Sequence, residues 1–147
     1  MNVIDTAIPE VKIIEPRVFG DARGYFFESW SAKAYKEAGI DCNWVQDNES
    51  RSKFGVLRGL HFQAASYTQA KLVRVIEGAV LDVAVDIRKG SPTFGQHVAV
   101  ELTAENKRQL FVPRGFAHGF VSLKDDTLFQ YLVDNDYAPQ KEGGILW

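Results

Sequence analysis

Residues 56–63 read VLRGLHFQ and place a guanidinium and an imidazole in a stretch otherwise suited to a buried strand. Side chains alternate between the two faces of a strand, so Arg58 and His61, three residues apart, would face opposite ways. Gly59 lies between them. A glycine inside a strand often marks a bulge, which inserts one residue and shifts the register by one. With a bulge there, both groups turn to the same face. A guanidinium grips phosphate oxygens in a bidentate way, and an imidazole can take and return protons near neutral pH. The pair is therefore expected to line a cavity. The plain alternative is an edge arginine beside a satisfied core histidine.

Three further stretches carry groups of the same kind. VQDN, residues 45–48, gathers amide and carboxylate side chains between apolar neighbours, unless it is simply a strand end and turn. Lys71 opens KLVRVIEG, where it is either a solvated edge charge or a cation aimed inward. PRGFAHGF, residues 113–120, contains Pro-x-Gly-x-x-His ending at His118, the core of the second motif of cupin barrels, whose histidine enters the lumen. Metal-binding cupins add a His-x-His pair and a glutamate in their first motif. Here GLHFQ supplies His61 alone, and His97 has no ligand spacing. Imidazoles without a ligand set make a poor transition-metal site. No metal and no cofactor is expected, and His61 and His118 read as proton-transfer or hydrogen-bonding groups.

The elements that must position these groups read as strands. Short apolar-rich runs recur at 11–14, 24–29, 44–48, 56–63, 72–77, 80–88, 97–102, 109–112, 119–123 and 127–133, with Gly, Pro and Asp punctuation between them. The clearest is AVLDVAVDIR, residues 79–88. Leu81, Val83, Val85 and Ile87 share one face; Val80, Asp82, Ala84, Asp86 and Arg88 share the other. One short helix is expected at 31–38, with Ser31 as N-cap and Gly39 as its stop. The expected architecture is an all-β, cupin-type jelly-roll barrel or sandwich with one short helix, formed as a single domain over residues 1–147. Of the 147 residues, 46% are hydrophobic, enough for a core. The net charge of -2 and the lack of a basic run give no reason to expect nucleic acid or a membrane as partner. Cys42 is the only cysteine, so no intrachain disulfide can form, which suits a cytoplasmic location, as does a start without a signal-peptide pattern.

In order along nearly the whole chain, IPEVKIIEPRVFGDARGYFFESW, VQDNES, GVLRGLHFQ, KLVRVIEGAVLDVAVDIRKGSPTFG, LTAENKRQLFVPRGFAHGF and DYAPQKEGGILW resemble the dTDP-4-dehydrorhamnose 3,5-epimerase family of cupins. The resemblance implies a metal-independent isomerase acting on a dTDP-linked 4-keto-6-deoxysugar, in which protons at C3 and C5, acidified by the C4 carbonyl, are removed and returned on the opposite face. It implies His61 as general base, Tyr131 as general acid and Lys71 as the cation that stabilises the enolate. Arg23 and Arg58 would hold the pyrophosphate. Glu28, Gln46, Asp47, Asn48, His118 and Glu142 would contact nucleotide and sugar, and Phe19, Phe26 and Tyr137 would pack on the thymine. Asp82 is either a lumen carboxylate near the histidines or an exposed strand-face charge.

The family pattern continues past the residue that is Trp147 here, into a segment whose aspartate orients the catalytic histidine. Either Asp82 takes that place, or activity is reduced, or the sequence is shortened relative to the natural protein. Four other readings remain open: a single-site 3- or 5-epimerase on a related nucleotide sugar, a sugar-nucleotide ketoisomerase, a nucleotide-sugar-binding cupin without catalysis, and a metal-dependent oxygenase cupin. The resemblance also implies a homodimer built by exchange of the N-terminal arm, residues 2–15, which brings Arg23 and Glu28 to the partner's site.

Overall fold

The apolar runs pair into two antiparallel sheets in the computed structural model, which describes residues 1–147. In chain order the strands are β1 (Asn2–Asp5), β2 (Lys12–Glu15), β3 (Val18–Asp21), β4 (Gly24–Phe27), β5 (Gln46–Ser52), β6 (Leu57–Gln63), β7 (Lys71–Glu77), β8 (Ala79–Asp86), β9 (His97–Thr103), β10 (Gln109–Val112), β11 (Phe116–Ser122), β12 (Thr127–Val133) and β13 (Glu142–Gly144). One sheet runs β1-β2-β10-β7-β12-β5 and the other β13-β6-β11-β8-β9, while β3 and β4 form a separate hairpin. The sheets face each other as a sandwich, which is the expected all-β jelly roll. No helix is long and apolar enough to cross a membrane.

The main core lies between the sheets. Val73 and Val75 of β7, Phe129 of β12 and Leu110 of β10 meet Val80 and Ala84 of β8, Phe120 of β11 and Val98, Val100 and Leu102 of β9. Period two along β8 places Asp82 on this inner face with Val80 and Ala84. The purely apolar set, Leu81, Val83 and Val85, turns outward into a second, smaller cluster with Leu60 and Ala117. β8 is therefore buried on both faces, and the carboxylate it turns inward, Asp82, needs a polar partner there.

The single helix, α1 (Ala32–Glu37), is capped as expected. The Ala34 amide donates to the Ser31 hydroxyl at 3.4 Å, and Gly39 ends the turn at a φ of +89°. The helix covers the outer face of the first sheet through Tyr35, which packs with Ile14, Leu72 and Phe111. Its hydroxyl lies 2.7 Å from Gln109 Oε1, and burial pushes the phenol up to about 12.

Three strands were not anticipated. β1, β3 and β13 are three or four residues long and mostly exposed, so they carry little apolar alternation. They exist because a neighbour's backbone pairs with them: β1 with β2, β3 with β4, and β13 with β6. Within this chain the N-terminal arm folds back on itself, β1 along β2, and extends the first sheet at its β10 edge.

Candidate active site

Gly59 does to β6 what its position suggested. Along β11, His118 pairs with His61 and Phe120 with Arg58, so β6 spends three steps where β11 spends two. The extra residue is a bulge, and it brings Arg58 and His61 to one face. Gly59 adopts a φ of +99°, and a Cβ built there would stand 2.5 Å from the His118 carbonyl oxygen. No larger residue fits so close a backbone approach.

The groups open onto a cleft between β6 and β13 on one wall and β5, β12 and β7 on the other. It has two lobes of about 570 and 550 Å³, each within the range of small-molecule sites. Asn48, His61, Lys71, Tyr131 and Glu142 line both lobes and so mark their junction. Tyr137 and Gln46 belong to the first lobe, Arg58 and His118 to the second.

His61 and Tyr131 come from opposite sheets. Tyr131 lies directly across from Asn48 in the β12–β5 ladder, so both point into the cleft. Gln46, two residues before Asn48, shares that face and donates to the Asn48 side-chain oxygen at 2.8 Å. Lys71 shares the inner face of β7 with Val73, and its ammonium sits 5.5 Å from the centre of the Tyr131 ring. Burial pushes its pKa down to about 8, although the charges of Asp82 and Glu142 pull it back up.

His118 is paired already. Its Nε2 lies 2.8 Å from Asp82 Oδ2, and the carboxylate is completely buried. Asp82 is thus a lumen group and not an exposed charge, and it serves His118. It does not take the place beside His61. The carboxylate near His61 belongs to Glu142, with Oε1 3.9 Å from Nδ1. The Tyr137 hydroxyl donates to the other oxygen of Glu142 at 3.2 Å. Arg58 reaches Ser52 Oγ at 3.0 Å and the Arg51 carbonyl at 3.2 Å through its guanidinium, and it stays exposed toward the second lobe.

Five expected contacts are not brought to this cleft by the chain itself. Arg23, Phe19 and Phe26 lie on the β3–β4 hairpin, where Arg23 pairs with Asp21 at 2.7 Å and is 90% exposed. Glu28 follows that hairpin and is exposed as well. Asp47 departs for a simpler reason. It alternates with Gln46 and Asn48, so it falls on the outer face of β5, where it accepts a hydrogen bond from Gln130. Sequence reasoning also passed over residues that line the lobes. Ser50 shares the Asn48 face, lines the second lobe, and its buried hydroxyl has no partner. Period two from Asn48 would have found it. Thr68, Gln69 and Lys89 line the first lobe from loops, where no periodicity points to them.

Comparison with known proteins matches this geometry to one family. The sequence profile of dTDP-4-dehydrorhamnose 3,5-epimerases matches residues 5–147. A dTDP-4-dehydrorhamnose 3,5-epimerase from Salmonella typhimurium is 60% identical over 148 residues, covering 100% of this chain and 81% of the relative. The crystal structure of the enzyme of that name from Bacillus anthracis, with TDP and PPi bound, superposes with a TM-score of 0.97 at 48% identity, covering 99% of this chain and 84% of that one. A 3,5-epimerase from Legionella pneumophila, in complex with dTDP-4-keto-L-rhamnose, gives 0.96 at 56% identity, covering 99% and 78%. On the strength of these matches, the chain belongs to the dTDP-4-dehydrorhamnose 3,5-epimerase family.

Proposed function

We propose that this chain epimerises C3 and C5 of dTDP-4-dehydro-6-deoxy-D-glucose, giving dTDP-4-dehydro-L-rhamnose. The observation that carries the reading is the meeting of His61, Lys71 and Tyr131 at the junction of one cleft, in a chain of this family. The C4 carbonyl acidifies the hydrogens on both neighbouring carbons. His61 takes one of them, and the C–H electron pair becomes an enolate with its negative charge on O4. Lys71 holds that oxygen. Tyr131, on the opposite wall, delivers a proton to the other face and inverts the centre. His61 has then gained a proton and Tyr131 has lost one; solvent resets both before the second carbon reacts. Arg58 grips the diphosphate, Tyr137 packs on the base, and Gln46, Asn48, His118 and Glu142 contact nucleotide and sugar.

Because solvent supplies the returning protons, turnover in heavy water is expected to place deuterium at both C3 and C5, followed by NMR. Exchange at one carbon only would replace this reading with a single-site epimerase. Bound dTDP without exchange would leave a binding protein.

A second copy of the chain completes the site in this reading. The β3–β4 hairpin exposes Phe19, Tyr25 and Phe26, each more than half accessible, around Arg23. Large exposed aromatics grouped on one projection favour burial against a partner. Seated on a second copy, the hairpin would supply Arg23 and Glu28 to the partner's diphosphate and Phe19 and Phe26 to its base, while the N-terminal arm, which pairs with β10 of its own chain, is not exchanged. Asp47 has no role in this scheme. Light scattering at micromolar concentration should give twice the chain mass; a monomer there would remove the second copy from the mechanism.

A further inference from the structure

Gln63 ends β6 two residues after His61, so it shares that strand's cleft face, and it is buried although polar. Its amide makes three hydrogen bonds to two different loops. Nε2 donates to the Tyr67 carbonyl at 2.7 Å and to the Asp136 carbonyl at 3.0 Å, and Oε1 accepts from the Ala138 amide at 2.8 Å. Both N–H donors and the oxygen are thereby engaged. Two of these bonds bracket Tyr137. The Asp136 carbonyl belongs to the peptide before it and the Ala138 amide to the peptide after it. With both planar peptides tied to one side chain, the direction in which the Tyr137 side chain leaves the backbone is set. Ala138 is buried, while Tyr137 is 57% exposed and lines the first lobe. The third bond ties in the facing loop, residues 64–70, whose Ala64, Ala65, Thr68 and Gln69 line the same lobe. Around Gln63 the two loops are joined again. Asn135 Nδ2 donates to the Ser66 and Thr68 carbonyls, Gln69 Nε2 donates to the Asn135 carbonyl at 2.9 Å, and Asp134 Oδ1 accepts from the Ala70 amide at 2.6 Å. Gln63 reaches both loops from the strand that carries His61.

We propose that Gln63 is a positioning residue for the base of the substrate: its amide holds Tyr137 and the 64–70 loop in place, so that a flat ring entering the first lobe meets a preset face. The proposal rests on Tyr137 being the surface on which the base packs, and it adds how that surface is held. A surface fixed in advance need not be ordered when the ligand arrives, so less of the stacking energy is spent. Loosening it therefore weakens binding and leaves the chemistry alone. His61, Lys71 and Tyr131 are placed by the backbone ladders of β6, β7 and β12, which do not run through the Gln63 amide.

The test is dTDP affinity by calorimetry and steady-state kinetics for Gln63→Met, Tyr137→Ala and the double variant, with hydrogen exchange of the Ala138 amide as a local readout. Methionine keeps the volume of glutamine and removes the amide. Gln63→Met should weaken dTDP binding and raise KM by about 10-fold, within the range that base–aromatic stacking supplies. Its kcat should be unchanged, the mark of lost uniform binding, and its Ala138 amide should exchange faster. In Tyr137→Ala the surface is already gone, so adding Gln63→Met should cost no further affinity. Full dTDP affinity in Gln63→Met would overturn the proposal. So would a loss that adds in full to that of Tyr137→Ala, or a fall in kcat at constant KM. If the methionine variant does not fold, Gln63→Glu decides: its carboxylate still accepts from Ala138 but cannot donate to the two carbonyls, so undiminished affinity in it refutes the role. Undiminished dTDP affinity in Tyr137→Ala would instead refute the reading of Tyr137, and with it the route through which Gln63 acts.

Discussion

Replacing His61 by asparagine is expected to reduce epimerisation by about 10²–10⁴-fold, the range contributed by a positioned general base. Asparagine is polar and smaller than histidine, so it leaves the cleft wet and open, but it cannot take a proton from carbon. The fold should tolerate the change. The side chain is 55% exposed, and the β6 ladder runs through the backbone, so the melting temperature is expected to stay near that of the parent. Affinity for dTDP should also survive, because Arg58 and Tyr137 remain in place. The informative readout is deuterium exchange at each carbon. Loss at C3 and C5 together means one base serves both positions. Loss at one carbon alone assigns the other to a second base, for which His118 is already committed to Asp82. Undiminished turnover would remove His61 from the chemistry.

That prediction was legible before any coordinates because Gly59 announced the bulge. A regular strand would have sent Arg58 and His61 to opposite faces; one inserted residue reverses this, and glycine is the residue that permits it. The alternation of β8 was equally plain, but not which face was inner. Periodicity separates two faces without telling which one meets the lumen, and here both are buried. Asp82 could therefore be placed on a face and not in a pair. Parity was also enough to separate Asp47 from Gln46 and Asn48, since neighbours in a strand point opposite ways. Taking VQDN as one binding cluster ignored that. β13 was beyond reach for a different reason. Glu-Gly-Gly has no strand signal of its own, and it is a strand only because β6 offers it an edge. Glu142 could be read as a contact, whereas its station beside His61 depends on that long-range pairing. Arg23 and Glu28 lie on or just after a hairpin that stands off from this chain's cleft, so nothing local to them shows which site they serve.

Replacing Lys71 by methionine is expected to cut turnover by about 10²–10³-fold, the loss seen when one oxyanion donor is removed, and at the same time to make the protein more stable at neutral pH. Both effects come from one cause. The lysine stem packs on the inner face of β7 while its ammonium is held in a partly dry cleft, and burial brings its pKa down from 10.5 to about 8. Methionine fills a similar volume and carries no charge to desolvate. The sign of the pH dependence follows. Below about 8 the folded and unfolded chains both hold the proton, and the folded state bears the whole cost of the buried charge. Between about 8 and 10.5 the unfolded chain keeps a proton that the folded one gives up, so stability tied to this group recovers as pH rises. The advantage of Lys71→Met should therefore be largest below about 8 and fade toward 10.5. Activity runs the other way. The ammonium is the form that stabilises the enolate, so the parent's kcat/KM should fall as pH rises through about 8, and the residual activity of Lys71→Met should lack that limb. Thermal melts and pH–rate profiles of the two proteins measure both. A variant that is stabilised yet fully active would show that Lys71 is not the cation at O4. One that is inactive without being stabilised would show that its ammonium is solvated in the folded protein, and the low pKa would lose its cause.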